Sequence, residues 1–164
     1  MLLCVTLTIF GHSYTIFATM RPIDYLKQLQ IEHNRQKYPN FPDNYRPVTK
    51  YKTTTANGLT RAITDFLNYS GHWASRINSQ GTWVKEKAHV NGGYYRPSTQ
   101  QKGIADIDSL INGKKVAIEV KVGKDRQSEA QKTFQERIER AGGHYWLVRD
   151  FDQFYNLYTQ FIKN

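Results

Sequence analysis

The spacing of apolar positions switches along the chain between a helical and a strand period, and each switch delimits an element. Leu59, Ala62, Ile63, Phe66 and Leu67 recur at helical intervals, with Thr55 or Asn57 placed to cap the start and Gly71 to stop the helix. Trp73 to Ser79 reads as a short strand. Gly103 to Val122 holds two alternating, β-branched runs around Asn112-Gly113, the mark of a hairpin closed by a two-residue type I′ turn. Gln127 to Ala141 is predicted as a helix with Ala130, Phe134, Ile138 and Ala141 facing inward, ended by Gly142-Gly143. His144 to Val148 is then a buried strand reached by a βαβ crossover, and Asp150-x-x-Gln153 opens a last helix. Phe151, Phe154, Tyr155, Tyr158, Phe161 and Ile162 give that helix a wide aromatic stripe, suited to core packing or to a homodimer surface.

The hairpin turn sets a register. With Ile111 opposite Lys114, Asp106 falls opposite Glu119 and Asp108 opposite Ala117. Because side chains alternate along a strand, Asp106, Asp108, Glu119 and Lys121 share one face, while Ile107, Val116, Ile118 and Val120 share the other and form the core. Like charges facing each other across a sheet destabilise it unless something compensates. Mg²⁺, with Mn²⁺ as a substitute, is the economical compensator, because hard cations take carboxylate oxygens together with water and substrate phosphate. The plainer alternative is a surface ladder of Asp, Glu and Lys pairs, each worth little.

Pro22 to Lys37 is predicted as a helix with Ile23, Leu26, Leu29 (or Gln30) and His33 on one side, its proline in the first turn, and Pro39, Pro42 and Pro47 prevent its continuation. The stretch from Met20 to Thr55 carries Arg35, Lys37, Arg46, Lys50 and Lys52 with Tyr38, Tyr45 and Tyr51. It either tracks a phosphate backbone or is a solvated linker. Gly81 to Lys102 is a long polar connection containing Trp83, Lys85, Lys87, His89, Tyr94, Tyr95, Arg96 and Lys102. Its length, and its place directly before Asp106, favour a DNA-contacting flap over a floppy insertion. Arg76 is either a further phosphate contact or an ordinary exposed arginine.

Residues 1–19 contain no Asp, Glu, Lys or Arg. The apolar part, Leu2 to Phe10, is too short to span a bilayer and lacks the flanks of a secretory signal. It is read as an extension upstream of a start at Met20 or as an extra edge strand. The expected organisation is thus an extension over 1–19, a basic arm over 20–55 and one domain over 56–164.

Composition narrows the function. A chain of 164 residues suffices for one domain with a proper core plus an arm. Its 23 Lys+Arg against 14 Asp+Glu leave a formal charge of +9, which favours a polyanionic partner, nucleic acid before an anionic membrane surface. One cysteine, Cys4, excludes a disulfide framework and a Cys-rich zinc site and suits a reducing, cytoplasmic setting. The five histidines have no metal-ligand pair spacing, so neither a zinc hydrolase nor a His-metal nuclease is supported.

Gly103-Ile-Ala-Asp106, then Ile118-Glu119-Val120-Lys121 after twelve residues between the two acids, then Ser128-x-x-Gln131-x-x-Phe134, resembles the VRR-NUC branch, of phage or bacterial type, of the PD-(D/E)xK nucleases. The resemblance spans about residues 57 to 150. It implies an α/β, restriction-endonuclease-like core (α-β-β-β-α-β, a mixed sheet flanked by helices) with an N-terminal arm. It also implies metal-dependent hydrolysis of DNA phosphodiesters. On that reading Asp106 and Glu119, with the Val120 carbonyl, hold Mg²⁺, and Asp108 binds a second ion or sits on the rim. Lys121 orients the attacking water or stabilises the transition state.

Gln131 has two readings, which are not exclusive: a capping-box partner of Ser128, or a residue aimed at the active face. Related nucleases often carry a metal-assisting Glu in the first helix; here Asn57 takes that place and Asp65 is the helix's only acid. Arg76, Lys85, Lys87, Arg96 and Lys102 are the DNA-binding candidates. The expected activity is structure-specific, junction-resolvase-like cleavage of branched DNA, in the cytoplasm or, for a phage-encoded chain, the host cytoplasm. A sequence-specific restriction endonuclease and an inactive DNA-binding module of the same fold are the alternatives. The lack of an added base-reading domain favours shape recognition, to which a small basic homodimer is suited.

Overall fold

The structure, a computed structural model, describes residues 2–9, 12–78, 81–86 and 92–163; for 2–9 and 12–19 it describes the main chain. In chain order the elements are β1 (Leu2–Ile9), β2 (His12–Thr19), α1 (Pro22–Lys37), α2 (Ala56–Tyr69), β3 (Trp73–Arg76), β4 (Thr82–Lys85), β5 (Gly93–Arg96), β6 (Ile107–Ile111), β7 (Lys114–Val120), α3 (Glu129–Arg140), β8 (His144–Val148) and α4 (Phe151–Phe161). They fall into two compact units, Met1–Thr49 and Lys50–Asn164.

In the first unit β1 and β2 pair antiparallel from Leu2↔Thr19 to Ile9↔His12 as a sheet of their own. The apolar segment is therefore a strand pair, not one edge strand. Helix α1 occupies the predicted range, but it buries Leu26, Gln30 and Asn34 instead of the expected Ile23 and His33. The polar pair is used by the returning chain: Asn34 Nδ2 donates to the Pro47 carbonyl at 2.5 Å, and the Thr49 N–H donates to Gln30 Oε1 at 3.2 Å. Arg35 and Arg46 both pair with Asp43, so two of the arm's cations already have a carboxylate.

The second unit is α/β, built on a mixed sheet of order β3-β6-β7-β8. Its pairs are antiparallel except β7 with β8, which α3 connects in parallel. Asn112 and Gly113 have φ of 50° and 76°, the left-handed pair a type I′ turn requires. The register is the predicted one, from Ile111↔Lys114 to Ile107↔Ile118. On one face Ile107, Ile111, Val116 and Ile118 are wholly buried, as are Leu59, Ala62, Ile63, Phe66 and Leu67 of α2. The Phe66 ring lies edge-on to Phe151, Phe154, Tyr155 and Tyr158 at 5.0–5.9 Å, so the aromatic stripe of α4 serves the core.

Helix α3 covers the opposite face, where Phe134 and Ile138 pack on Ala105, Ala117 and Tyr145. Ala130 and Ala141, expected to face inward with them, are exposed; the helix touches the sheet through a narrower stripe. This packing corrects the expectation of one core face. β7, central in the sheet, is buried on both sides. The polar connection is also not irregular: β4 and β5 form a separate antiparallel ribbon, Thr82↔Arg96 to Lys85↔Gly93, because its β-prone Trp83, Val84, Tyr94 and Tyr95 pair with one another. No helix among the described residues is long and apolar enough to cross a membrane.

Candidate active site

Glu119 lies near the end of β7, between β6 and β8 and beneath α3, and is 1% exposed. Asp106 stands just before β6. Its carbonyl accepts the Ile77 N–H at 2.8 Å, and its Oδ2 accepts the Val120 N–H at 2.9 Å. Asp106 is thus no ladder partner directly across from Glu119, as the register extended to it implied. Its carboxylate instead takes a main-chain donor of β7 beyond the last Ile107↔Ile118 pair. Just upstream, Gly103 has a φ of +79°, and a Cβ there would collide with the Ala130 carbonyl. The segment leading into the site therefore passes close against the first turn of α3.

Two further groups reach Glu119. Lys121, 7% exposed, puts Nζ 3.1 Å from Glu119 Oε1 and 3.3 Å from Asp125 Oδ2. Gln131 Nε2 donates to the same Glu119 Oε1, while Gln131 Oε1 accepts the Ser128 N–H at 2.8 Å. Ser128 Oγ accepts the Gln131 N–H at 3.3 Å, which completes the capping box. Gln131 is thus the capping-box partner of Ser128 and at the same time a donor to Glu119. The Tyr145 hydroxyl lies 3.5 Å from Glu119 Oε2, a long contact that leaves this oxygen little bound.

Burial, and then the charge of Asp106, push the Glu119 carboxyl up to about 7; Lys121 pulls it down without prevailing. For Lys121, burial alone would lower the ammonium's pKa, but the hydrogen bonds and charges of Glu119 and Asp125 together outweigh it, so the pKa is raised. Glu119 is therefore harder to ionise than a solvated carboxyl, first because it is buried, even with an ammonium in contact. Asp106 Oδ1 has no hydrogen bond among the described residues, so both carboxylates keep acceptor capacity. Among the described residues no three His, Cys, Asp or Glu gather as a metal cage.

The other candidates are dispersed. Val120 contributes its N–H to Asp106, its side chain buried in the opposite face. Asp108 is paired with Lys115 across the hairpin and has no bond to Asp106, Glu119 or Lys121 among the described residues. Arg76, opposite Ile107 on β3, donates to Asn57 Oδ1 at 2.6 Å, on the α2 side of the sheet. There it lines a cleft of about 430 Å³ with Lys50, Lys52, Arg61 and Asp65. Lys85 and Arg96 are exposed on the β4–β5 ribbon and Lys102 is exposed before Gly103; Lys87 lies outside the described residues.

Sequence reading missed Asp125, Tyr145 and Lys115. Asp125 follows Lys121 outside any regular element, so no periodicity announces it. Tyr145 could have been found from parallel pairing, since Ala117↔Tyr145 and Glu119↔Leu147 put it on the carboxylate side. Lys115 lies on the face and strand of Glu119, at the position diagonal to Asp108. Scanned against models of known families and against curated proteins, the chain matches none.

Proposed function

We propose that this chain is a metal-dependent deoxyribonuclease of the PD-(D/E)xK kind, with a restriction-endonuclease-like core, hydrolysing phosphodiester bonds of branched DNA. The observation that carries the reading is Glu119: a carboxylate 1% exposed, set against a second carboxylate, a buried ammonium and a glutamine amide. A surface ladder of ion pairs leaves its members in water, where each pair is worth little; burying Glu119 beside the half-buried Asp106, with one ammonium in contact, is costly unless its charge is neutralised, and a further cation would do that. The residues fit Mg²⁺, which typically takes one or two carboxylates and completes its shell from water and substrate phosphate. Asp106 and Glu119 would hold it, with the Val120 carbonyl beside them.

When bound, the ion polarises the phosphate and lowers the pKa of a coordinated water. The chain's own residues do the rest. The Val120 N–H holds Asp106 in place, and Gln131 fixes the orientation of Glu119. Lys121, kept as an ammonium by its two carboxylates, cannot take a proton from water at neutral pH; its role is to stabilise the charge that grows on the phosphate. Asn57, bonded to Arg76, adds no carboxylate from α2. That one observation favours the second reading, an inactive DNA-binding module.

The test is cleavage of labelled duplex, single-stranded, flap and four-way DNA with Mg²⁺ or Mn²⁺. Asp106→Asn, Glu119→Gln and Lys121→Ala should each lower the rate by about 10²-fold or more with DNA still bound. Asp108→Asn should be mild, because Lys115 already holds that carboxylate. Retained cleavage in both carboxylate variants overturns the assignment, and no wild-type cleavage on any substrate favours the binding module.

A further inference from the structure

The β4–β5 ribbon carries Trp83 and Tyr95 directly opposite each other, 53% and 58% exposed. Large rings this open are unusual on a small ribbon, and the residues around them explain how they lie. Alternation puts Gly81, Trp83 and Lys85 of one strand on the same face as Gly93 and Tyr95 of the other. A Cβ at Gly81 would collide with the Tyr95 hydroxyl, and one at Gly93 would stand 2.8 Å from Trp83 Nε1. Each ring therefore extends diagonally over a glycine of the neighbouring strand, a place any side chain would fill. The result is a face that carries two exposed aromatic rings, with the exposed Lys85 on the same side. Among the described residues of the two strands, alternation places the other charge, Arg96, on the reverse face.

We infer that this face is a stacking platform for the unpaired bases of a DNA strand. Every base presents a π-face to an aromatic ring, and Lys85 together with the chain's formal charge of +9 complements the phosphates between the bases. Paired bases are already stacked within a duplex, so the platform selects single-stranded segments such as those at a flap or branch. The inference rests on the proposed nuclease reading only for the choice of DNA as the polymer, and it names the part of a branched substrate this surface takes.

The experiment is equilibrium binding of the full chain, in EDTA, to fluorescent oligo(dT) and to a blunt duplex. Trp83→Ala and Tyr95→Ala should each weaken oligo(dT) binding about tenfold, leave duplex binding within about twofold, and leave the melting temperature unchanged; Trp83→Phe, which keeps a ring, should restore most of the affinity. Equal losses on both polymers, or no loss on oligo(dT), overturn the inference. So does a dimer that dissociates in the alanine variants without loss of binding, which would make the rings a subunit contact. Because no cleavage is read, a failure here is distinct from failure of the Asp106 and Glu119 variants to abolish hydrolysis.

Discussion

One amide joins Gln131 to Glu119 and to the start of its own helix. Nε2 donates to Glu119 Oε1, while Oε1 accepts the Ser128 N–H at 2.8 Å. With Glu119 ionised, the amide cannot turn over without losing both bonds, because each atom then faces a group of its own kind. The capping box thus fixes which atom Gln131 presents to the buried carboxylate.

This predicts a separation of stability from rate. Ser128→Ala removes the side-chain cap but leaves both bonds of the Gln131 amide, so it should cost about 1 kcal/mol of stability and leave the cleavage rate nearly unchanged. Gln131→Ala should cost similar stability and also slow cleavage, because Glu119 loses its orienting donor. Thermal melts and single-turnover rates on both variants check this. Equal rate losses would mean that the helix end, and not the Glu119 bond, matters.

Glu119 predicts a pH dependence of metal binding. Its carboxyl, ordinarily near 4.5, titrates at about 7 in the folded chain, so the folded state holds this proton more tightly than the unfolded state. The stability from the protonated form is complete below about pH 4.5 and is lost as pH rises through about 7. A divalent cation competes with that proton. Mg²⁺ should therefore raise the melting temperature more at about pH 8 than at about pH 6, and Asp106→Asn and Glu119→Gln should lose most of that increment. An equal increment at both pH values in all three proteins would remove the cation from this site.

Lys85, Arg96 and Lys102 are exposed cations on the segment leading to Asp106. Replacing them by alanine should weaken DNA binding and reduce the slope of log affinity against log salt by about one for each phosphate no longer neutralised. The same holds for Lys87. A titration at several salt concentrations decides it; an unchanged slope removes the ribbon from the phosphate interface.

β1 and β2 form a two-stranded sheet of their own. A chain lacking residues 1–19 should accordingly retain the melting temperature and the cleavage rate of the unit Lys50–Asn164. A drop of several degrees would show that the hairpin stabilises more than itself.

Local rules carried much of this molecule. Asn112-Gly113 dictates its turn because both residues tolerate positive φ, and the turn then dictates the Ile107↔Ile118 register without help from the rest of the fold. The five apolar residues of α2 lie on one stripe by helical period alone, and all five are wholly buried. Ser128 and Gln131 are three apart, which suffices to announce the cap. The proximity of Asp106, Glu119 and Lys121 was legible for the same reason: these residues sit on one hairpin, or on the residues that flank it.

What lay beyond the sequence is whatever depends on a second element crossing the first. That α3 roofs the carboxylate face, burying Glu119 and lifting its pKa, follows from Phe134 and Ile138 docking on Ala105, Ala117 and Tyr145, an association between segments far apart in the chain. That Asp125 answers Lys121 depends on the path of an irregular segment, and that Asp108 goes to Lys115 depends on side-chain geometry across the hairpin. That Gln30 and Asn34 are buried depends on where the chain returns after Pro47. The composition and spacing of residues determined the strands, the turn and the charges; only packing decided which of those charges left water, and it is desolvation that gives a carboxylate its chemistry.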